Sequence, residues 1–78
     1  MRKIIDRKLY DTDTAKLIYT EFKVMKRRDY YRTHKGAFFC HFVSVGDIQL
    51  VSEEEMMDIL ASKDVEKYIE IFGDVAEG

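Results

Sequence analysis

A run of aromatic and β-branched residues around one glycine constrains the fold of this chain most strongly. Tyr30–Thr33 and Ala37–Val43 are rich in residues that favour β-strands, and Gly36 lies between them. Glycine adopts positive φ without the steric cost that other residues meet, so it suits a tight turn at this point. The pattern therefore predicts a central β-hairpin.

The second strand of this hairpin has two different faces. Side chains alternate along a strand, so Phe38, Cys40 and Phe42 share one face while Phe39 and His41 lie on the other. We expect the face with Cys40 to contact the hydrophobic core, with the thiol buried between the two phenylalanines.

A second hairpin is predicted at the start of the chain. Lys3–Ile5 and Lys8–Tyr10 flank the pair Asp6-Arg7, which lacks the glycine that a two-residue turn favours. The short oxygen side chains of Asp11–Thr14 are then expected to cap a helical turn through Ala15–Ile18.

Two further strands are indicated by shorter patterns. Tyr19–Met25 alternates in a way that predicts extended backbone, although neither of its faces is entirely apolar. After a turn at Gly46-Asp47, Ile48–Val51 is predicted as a short strand with Ile48 and Leu50 on one face.

Two helices are predicted to close the chain. Ser52 and Glu55 fit a capping box, Asp64 can cap a second helix, and Gly73 stands where that helix should end. The apolar stripes are Met56, Ile59 and Leu60 in the first helix, and Val65, Tyr68, Ile69 and Phe72 in the second. The whole pattern predicts one domain over residues 1–78, of the α+β class: a small antiparallel sheet of three to four strands, followed by two C-terminal helices packed on one face.

The overall charge of −2 conceals a division along the chain. Residues 1–35 carry eleven Lys or Arg and five acids, a net charge of +6, whereas residues 36–78 carry two Lys and ten acids, a net charge of −8. Such asymmetry indicates either a polyanion contact by one half or an acidic surface offered to a basic partner by the other. The alternative is that the two halves fold together and neutralise each other.

Each half supplies candidate binding residues. Basic residues interleaved with tyrosines suit nucleic acid, because cations contact phosphates and rings stack on unpaired bases. The alternative is that the tyrosines are core residues and the cations protect an edge strand. The basic candidates are Lys23, Lys26, Arg27, Arg28, Tyr30 and Arg32, and the acidic candidates are Glu53, Glu54, Asp58, Glu66 and Glu70.

Residues for catalysis or metal binding are few. Cys40 and His41 are neighbours on a strand and point to opposite faces, so they cannot form a nucleophile–base pair. One Cys and two His are too few for a structural zinc site, and Lys16 and Phe22 occupy positions where a calcium loop starting at Asp11 needs Gly and Glu. We therefore expect no enzyme activity, no metal and no cofactor.

The order and spacing of several segments resemble a group of short proteins carried by phages and conjugative elements of Gram-positive bacteria. Two departures are the first turn, Asp6-Arg7 in place of an Asn-Gly-like pair, and the short Val43–Asp47 in place of a Gly-rich insertion. Any function of that insertion is therefore in question here. The resembling segments are Lys3–Ile5, Tyr10–Ile18, Tyr31–Phe39, Val51–Glu55 and Tyr68–Gly73.

The resemblance implies a mobile-element setting, in which small proteins without catalytic residues inhibit host defence systems by binding them. The leading hypothesis is a non-enzymatic inhibitor of a nucleic-acid-handling host complex, of the anti-CRISPR kind, whose partner is a host protein or protein–RNA complex. The alternative is a small nucleic-acid-binding or transcription-accessory protein that uses residues 23–35. A homodimer through a sheet edge is a third hypothesis. Ile4-Ile5 is too short for a secretory signal and no apolar run reaches membrane-span length, so we expect a cytoplasmic protein with no membrane partner.

Overall fold

The computed structural model describes residues 1–73 and 75–78 and confirms the predicted α+β class. In this part of the chain, six strands precede two helices. The elements are β1 (Arg2–Ile5), β2 (Lys8–Asp11), β3 (Lys16–Lys23), β4 (Lys26–Arg32), β5 (Phe38–Phe42), β6 (Asp47–Val51), α1 (Glu53–Lys63) and α2 (Val65–Phe72).

The strands form two antiparallel sheets. β1 and β2 pair as a two-stranded hairpin, and β3, β4, β5 and β6 pair in that order as a four-stranded sheet. Both predicted hairpins are therefore confirmed, with the first arm of the central one extended back to Lys26. Gly36 has φ of 87°, the positive value expected at the turn.

The four-stranded sheet is buried on both faces. The two helices cover one face and the β1–β2 hairpin covers the other, whereas we expected one core face only. Phe39 is 0% exposed because it packs between Tyr10 and Tyr31 on the hairpin side. The helix-side cluster is Ile18, Tyr30, Phe38, Cys40, Met56 and Leu60, and the hairpin-side cluster is Tyr10, Phe39 and Ile48.

The helices begin and end where the sequence predicts. The Ser52 hydroxyl accepts a hydrogen bond from the Glu55 N–H at 3.0 Å, and the Asp64 carboxylate accepts one from the Lys67 N–H at 3.1 Å. Gly73 ends α2 with φ of 92°. The second apolar stripe is confirmed for Tyr68 and Phe72 only. Val65 is 58% exposed, and Ile71 packs on the core in place of Ile69.

Two local predictions in the first half are wrong. Ala15–Ile18 is not a helical turn: Ala15 N–H donates to the Asp11 carbonyl at 3.0 Å, and β3 then begins at Lys16. A register shift between Leu17 and Tyr19 sets Ile18 into the helix-side cluster, and this burial favours extended backbone. Met25 is not extended either, because it forms the turn between β3 and β4 with Val24.

Candidate functional site: two basic ends of one sheet

The basic candidates do not share one face, because β4 alternates. Arg28, Tyr30 and Arg32 lie on the helix side of the sheet, and Arg27 lies on the hairpin side. Tyr30 is only 5% exposed, so its ring offers no free face to a base, and its predicted place among the binding residues is inconsistent with this burial.

Two of the arginines contact aromatic rings along the helix side. The guanidinium carbon of Arg28 is 5.0 Å from the centre of the Phe42 ring, and Arg28 Nη1 is 4.0 Å from Glu21 Oε1. The guanidinium carbon of Arg32 is 5.8 Å from the Phe38 ring centre. Arg28 is thus partly neutralised within the chain, whereas Arg32 remains exposed at the opposite end of β4.

Cationic side chains gather at the end of the sheet where β4 connects to β5. We call this region the loop end: the residues that line two adjacent cavities. The larger cavity, about 550 Å³, lies between the β1–β2 hairpin, the segment after β2 and the β4–β5 loop; the smaller is about 400 Å³. The two cavities share Thr33, His34 and Lys35, and their other charged lining residues are Arg7, Lys8, Asp11, Lys16 and Arg32.

Short polar contacts fix the backbone of the β4–β5 loop. Thr33 N–H donates to the Ala37 carbonyl at 2.8 Å, Ala37 N–H donates to the Thr33 hydroxyl at 3.1 Å, and Gly36 N–H donates to the Thr33 carbonyl at 2.9 Å. The loop therefore holds one conformation while the side chains of His34 and Lys35 stay exposed.

The single carboxylate at the loop end is already engaged. Asp11 Oδ1 accepts from the Asp13 N–H at 2.9 Å, and Asp11 Oδ2 lies 3.4 Å from Arg2 Nε. The five Lys and Arg of the cavity linings are consequently left with a net positive charge, which attracts anions.

Aromatic packing supports the larger cavity from below. Tyr10, one of its lining residues, meets Phe39 edge-on with ring centres 5.7 Å apart, and Tyr31 stacks on the other side of Phe39 at 5.1 Å. Burial raises the pKa of the Tyr31 hydroxyl. The loop end is therefore a cationic surface on a rigid base.

The opposite end of the sheet carries a different basic surface. We call Phe22–Arg27 the arm. It consists of the last two residues of β3, the turn at Val24-Met25 and the first two residues of β4. Phe22 is 77% and Val24 86% exposed, and Met25 is fully exposed. Lys23 and Lys26 face each other directly in the register. The arm combines apolar side chains with three cations and contains no acid.

The acidic candidates are all exposed on the helices. Glu53, Glu54 and Asp58 lie on α1, and Glu66 and Glu70 lie on α2. A hydrogen bond from Lys67, with Nζ 2.7 Å from Glu70 Oε2, holds the pKa of the Glu70 carboxyl below its usual value. The charge of Lys16 lowers the same pKa further, so the solvated acidic surface of the helices adjoins the loop end at Glu70.

The chemistry available at the sheet centre is limited. Cys40 is 3% exposed, and burial raises the pKa of its thiol to about 11, so the reactive thiolate is scarce at neutral pH. Among the described residues, no three His, Cys, Asp or Glu side chains come close enough to hold a metal ion. Neither helix in residues 1–73 and 75–78 combines the length and apolar character that a membrane span requires.

Sequence reasoning missed Arg7, Lys8 and Lys16 at the loop end. They are distant from Lys35 in the chain, and only the docking of the β1–β2 hairpin and the turn after Asp11 brings them together. One signal was present: two of the segments that carry the resemblance, Tyr10–Ile18 and Tyr31–Phe39, both line the larger cavity.

Comparison of the chain with known protein families, curated proteins and solved structures finds no match.

Proposed function

We propose that this chain is a non-enzymatic nucleic-acid-binding protein whose main contact surface is the loop end. The observation that carries the proposal is the group of five cations around the two cavities, from Arg7 and Lys8 to Lys35, whose linings contain one carboxylate. Lysine and arginine side chains bind phosphates through charge, and they release counterions from the nucleic acid as they do so. The backbone hydrogen bonds of the β4–β5 loop fix the position of Lys35 in the chain, which lowers the cost of ordering this loop on binding.

The resemblance to proteins of phages and conjugative elements gives this activity a setting. In that setting the nucleic acid belongs to a host defence complex, such as a CRISPR effector, in the cytoplasm of a Gram-positive cell. The chain then acts as an inhibitor by occupying the nucleic acid or its binding site, and it needs no catalytic group of its own. Purified chain should therefore slow target cleavage by such a complex.

The test compares charge changes at the loop end and on the helices. Labelled single-stranded and duplex DNA and RNA are titrated with the full chain, and fluorescence anisotropy is read at about 50 and 200 mM salt. The unmodified chain should bind and weaken steeply with salt. Lys8→Glu with Lys35→Glu should abolish binding, while Lys63→Glu with Lys67→Glu on the helices, which makes the same change in net charge, should preserve it. Absence of binding at low salt, or equal binding by both variants, contradicts the proposal.

A second candidate is a protein–protein inhibitor that uses the acidic helices. It is favoured by the exposure of the carboxylates on α1 and α2, which can occupy a basic nucleic-acid groove of a host protein. Glu54→Lys with Asp58→Lys should then remove inhibition of the host complex without weakening binding to free nucleic acid. If the Lys8→Glu and Lys35→Glu changes alone remove inhibition, this candidate is rejected.

A further inference from the structure

The arm projects beyond the rest of the sheet. Arg28 pairs with Phe42, the last residue of β5, and the Val43 N–H donates to the Arg27 carbonyl at 3.1 Å, so the outermost pair of the β3–β4 hairpin, Lys23 with Lys26, lies past the end of the β4–β5 hydrogen bonds. The arm is therefore a two-stranded ribbon that ends in the exposed pair Val24-Met25.

Three features of the arm are unfavourable to the free chain. Val24 and Met25 have φ of 45° and 61°, a region that β-branched and bulky residues rarely adopt. Lys23 and Lys26 are like charges placed directly opposite each other. Large apolar side chains point into water at the apex. No acid of the arm offsets these costs, and such concentrated strain is typical of functional sites.

The charges of the arm lie on both faces of the ribbon. Lys23 and Lys26 share one face, and Phe22 and Arg27 share the other, with the Arg27 guanidinium carbon 5.8 Å from the Phe22 ring centre. Arg27 Nε also contacts Asp29 Oδ1 at 2.9 Å, which holds the guanidinium back from the apex. Cations on both faces of a ribbon can reach the phosphates on both sides of a groove. Only the apex of the ribbon could touch a flat anionic surface, so a groove fits this arrangement of charges better.

We propose that the arm enters the major groove of duplex DNA and sets Val24 and Met25 against thymine methyl groups. This groove is about 12 Å wide and admits a two-stranded ribbon, whereas the major groove of an RNA duplex is too narrow. Lys23 and Lys26 then contact phosphates on one side, and Arg27, whose Nε is paired with Asp29, offers its remaining N–H groups to the other. The inference rests on the proposed function for its class of target, but it uses a separate surface.

The experiment asks whether the chain detects thymine methyl groups. The full chain is titrated against an A·T-rich DNA duplex, the same duplex with uracil in place of every thymine, the matching RNA duplex and anionic phospholipid vesicles. Each methyl group buried should strengthen binding about threefold to fourfold, so two contacts should favour thymine DNA about tenfold over uracil DNA. The RNA duplex should bind more weakly than either DNA.

The matched variant is Val24→Asn with Met25→Gly. Asn-Gly is the preferred pair for a turn with positive φ at both residues, so this variant should melt at a higher temperature than the unmodified chain. It should nevertheless lose the preference for thymine over uracil. Loss of the thymine preference together with a more stable fold cannot be attributed to unfolding.

The outcomes separate the arm from the loop end. Equal binding of thymine and uracil duplexes by the unmodified chain overturns the inference, as does an unchanged preference in the Val24→Asn, Met25→Gly variant. Vesicle binding that depends on Met25, without a thymine preference, overturns it in favour of a membrane surface. If Lys8→Glu with Lys35→Glu removes binding and the arm variant keeps the thymine preference, the loop-end proposal stands and the arm inference fails. If the arm variant loses the preference while the Lys8→Glu, Lys35→Glu variant binds as well as the unmodified chain, the arm inference stands and the loop-end proposal fails.

Discussion

The two ends of the four-stranded sheet reverse the direction of the chain with different kinds of turn. At the loop end, the turn has a glycine at φ 87° and the side chain and backbone of Thr33 satisfy its neighbours. At the arm, Val24 and Met25 take positive φ without a glycine, and their side chains are exposed. The β4–β5 turn follows the usual turn chemistry, whereas the β3–β4 turn departs from it, as does the β1–β2 turn, where Asp6 and Arg7 have φ of 51° and 65° without a glycine.

This difference indicates that the loop end is supported by the packing of the fold, whereas the arm is exposed for contact with a partner. The loop end presents cations on a base of buried rings, so its geometry belongs to the fold. The arm has no such base, and the fold would be more stable with other residues there. Backbone strain that is exposed at a protruding turn is best explained by what the turn binds.

The largest expected difference between the ends is in their contribution to the free energy of unfolding. Replacing one phenylalanine by alanine at each end measures it. Phe39→Ala removes a ring that is 0% exposed between Tyr10 and Tyr31, and it should lower the free energy of unfolding by about 3–5 kcal/mol. Phe22→Ala removes a ring that is 77% exposed, and it should change that free energy by about 0.5 kcal/mol at most. Urea denaturation followed by circular dichroism gives both values.

A large loss of stability from Phe22→Ala would show that the arm supports the fold, and the comparison would then fail. Where Phe39→Ala is too unstable to fold, Phe39→Leu keeps most of the apolar contact and provides a second measurement. Its loss should still exceed that of Phe22→Ala.

A buried sheet centre connects the two ends, and the stability of the protein at alkaline pH tests whether that centre excludes water. Burial raises the pKa of Cys40 from 9.0 to about 11, so the folded state retains a proton that the unfolded state has lost over that range. The free energy of unfolding should therefore be unaffected by this group below pH 9 and should fall between pH 9 and 11, by at most about 1.4 kcal/mol per pH unit for one proton.

Cys40→Ala is the control for this pH dependence. Its stability should fall less steeply between pH 9 and 11, and the remaining slope would come from tyrosines such as Tyr30, whose pKa burial also raises. Identical slopes in the two proteins would show that the thiol is accessible to water and that the centre of the sheet opens.

Substitutions in the turns should have smaller effects, with opposite signs at the two ends. Gly36→Ala introduces a Cβ whose nearest neighbour, the Arg32 Nη2 atom, is 3.7 Å away, so its cost is one of backbone only. At φ 87° that cost should be about 1 kcal/mol. Val24→Asn with Met25→Gly should instead stabilise the chain by about 1 kcal/mol.

Thermal unfolding of the three proteins checks these signs. Gly36→Ala should melt below the unmodified chain, and the arm variant above it. If the arm variant melts at a lower temperature, the apex has a supporting contact that its exposure does not reveal, and the arm is not a strained turn.

Most of the fold follows from local patterns. The central hairpin, the caps at Ser52 and Asp64 and the first helical stripe each depend on nearby residues, so the sequence is sufficient to predict them. Val24-Met25 was missed because no local rule favours that pair at positive φ. Phe39 was assigned to the less buried face because burial on both faces depends on the docking of a hairpin from the start of the chain.

The candidate site was only partly predictable for the same reason. Lys23, Lys26 and Arg27 belong to one continuous segment and do lie together on the arm. Arg32 lies at the other end of β4, near Lys16 and Lys35, because a strand of seven residues separates its two ends by about 20 Å. Alternation along β4 then placed Tyr30 in the core, which composition alone does not reveal.

The smallest expected effect is a change in the salt dependence of binding, and it shows whether both ends contact the same nucleic acid. If Lys35 and Lys26 each contact a phosphate, Lys35→Gln and Lys26→Gln should each reduce the slope of log affinity against log salt by about 1, and the double variant should reduce it by about 2. A duplex of six or seven base pairs is about as long as β4, so one duplex can reach both residues. Lys63→Gln on α1 is the control, and its slope should match that of the unmodified chain. A reduced slope for Lys35→Gln alone would mean that the arm points away from the bound duplex, and the two ends would then have different partners.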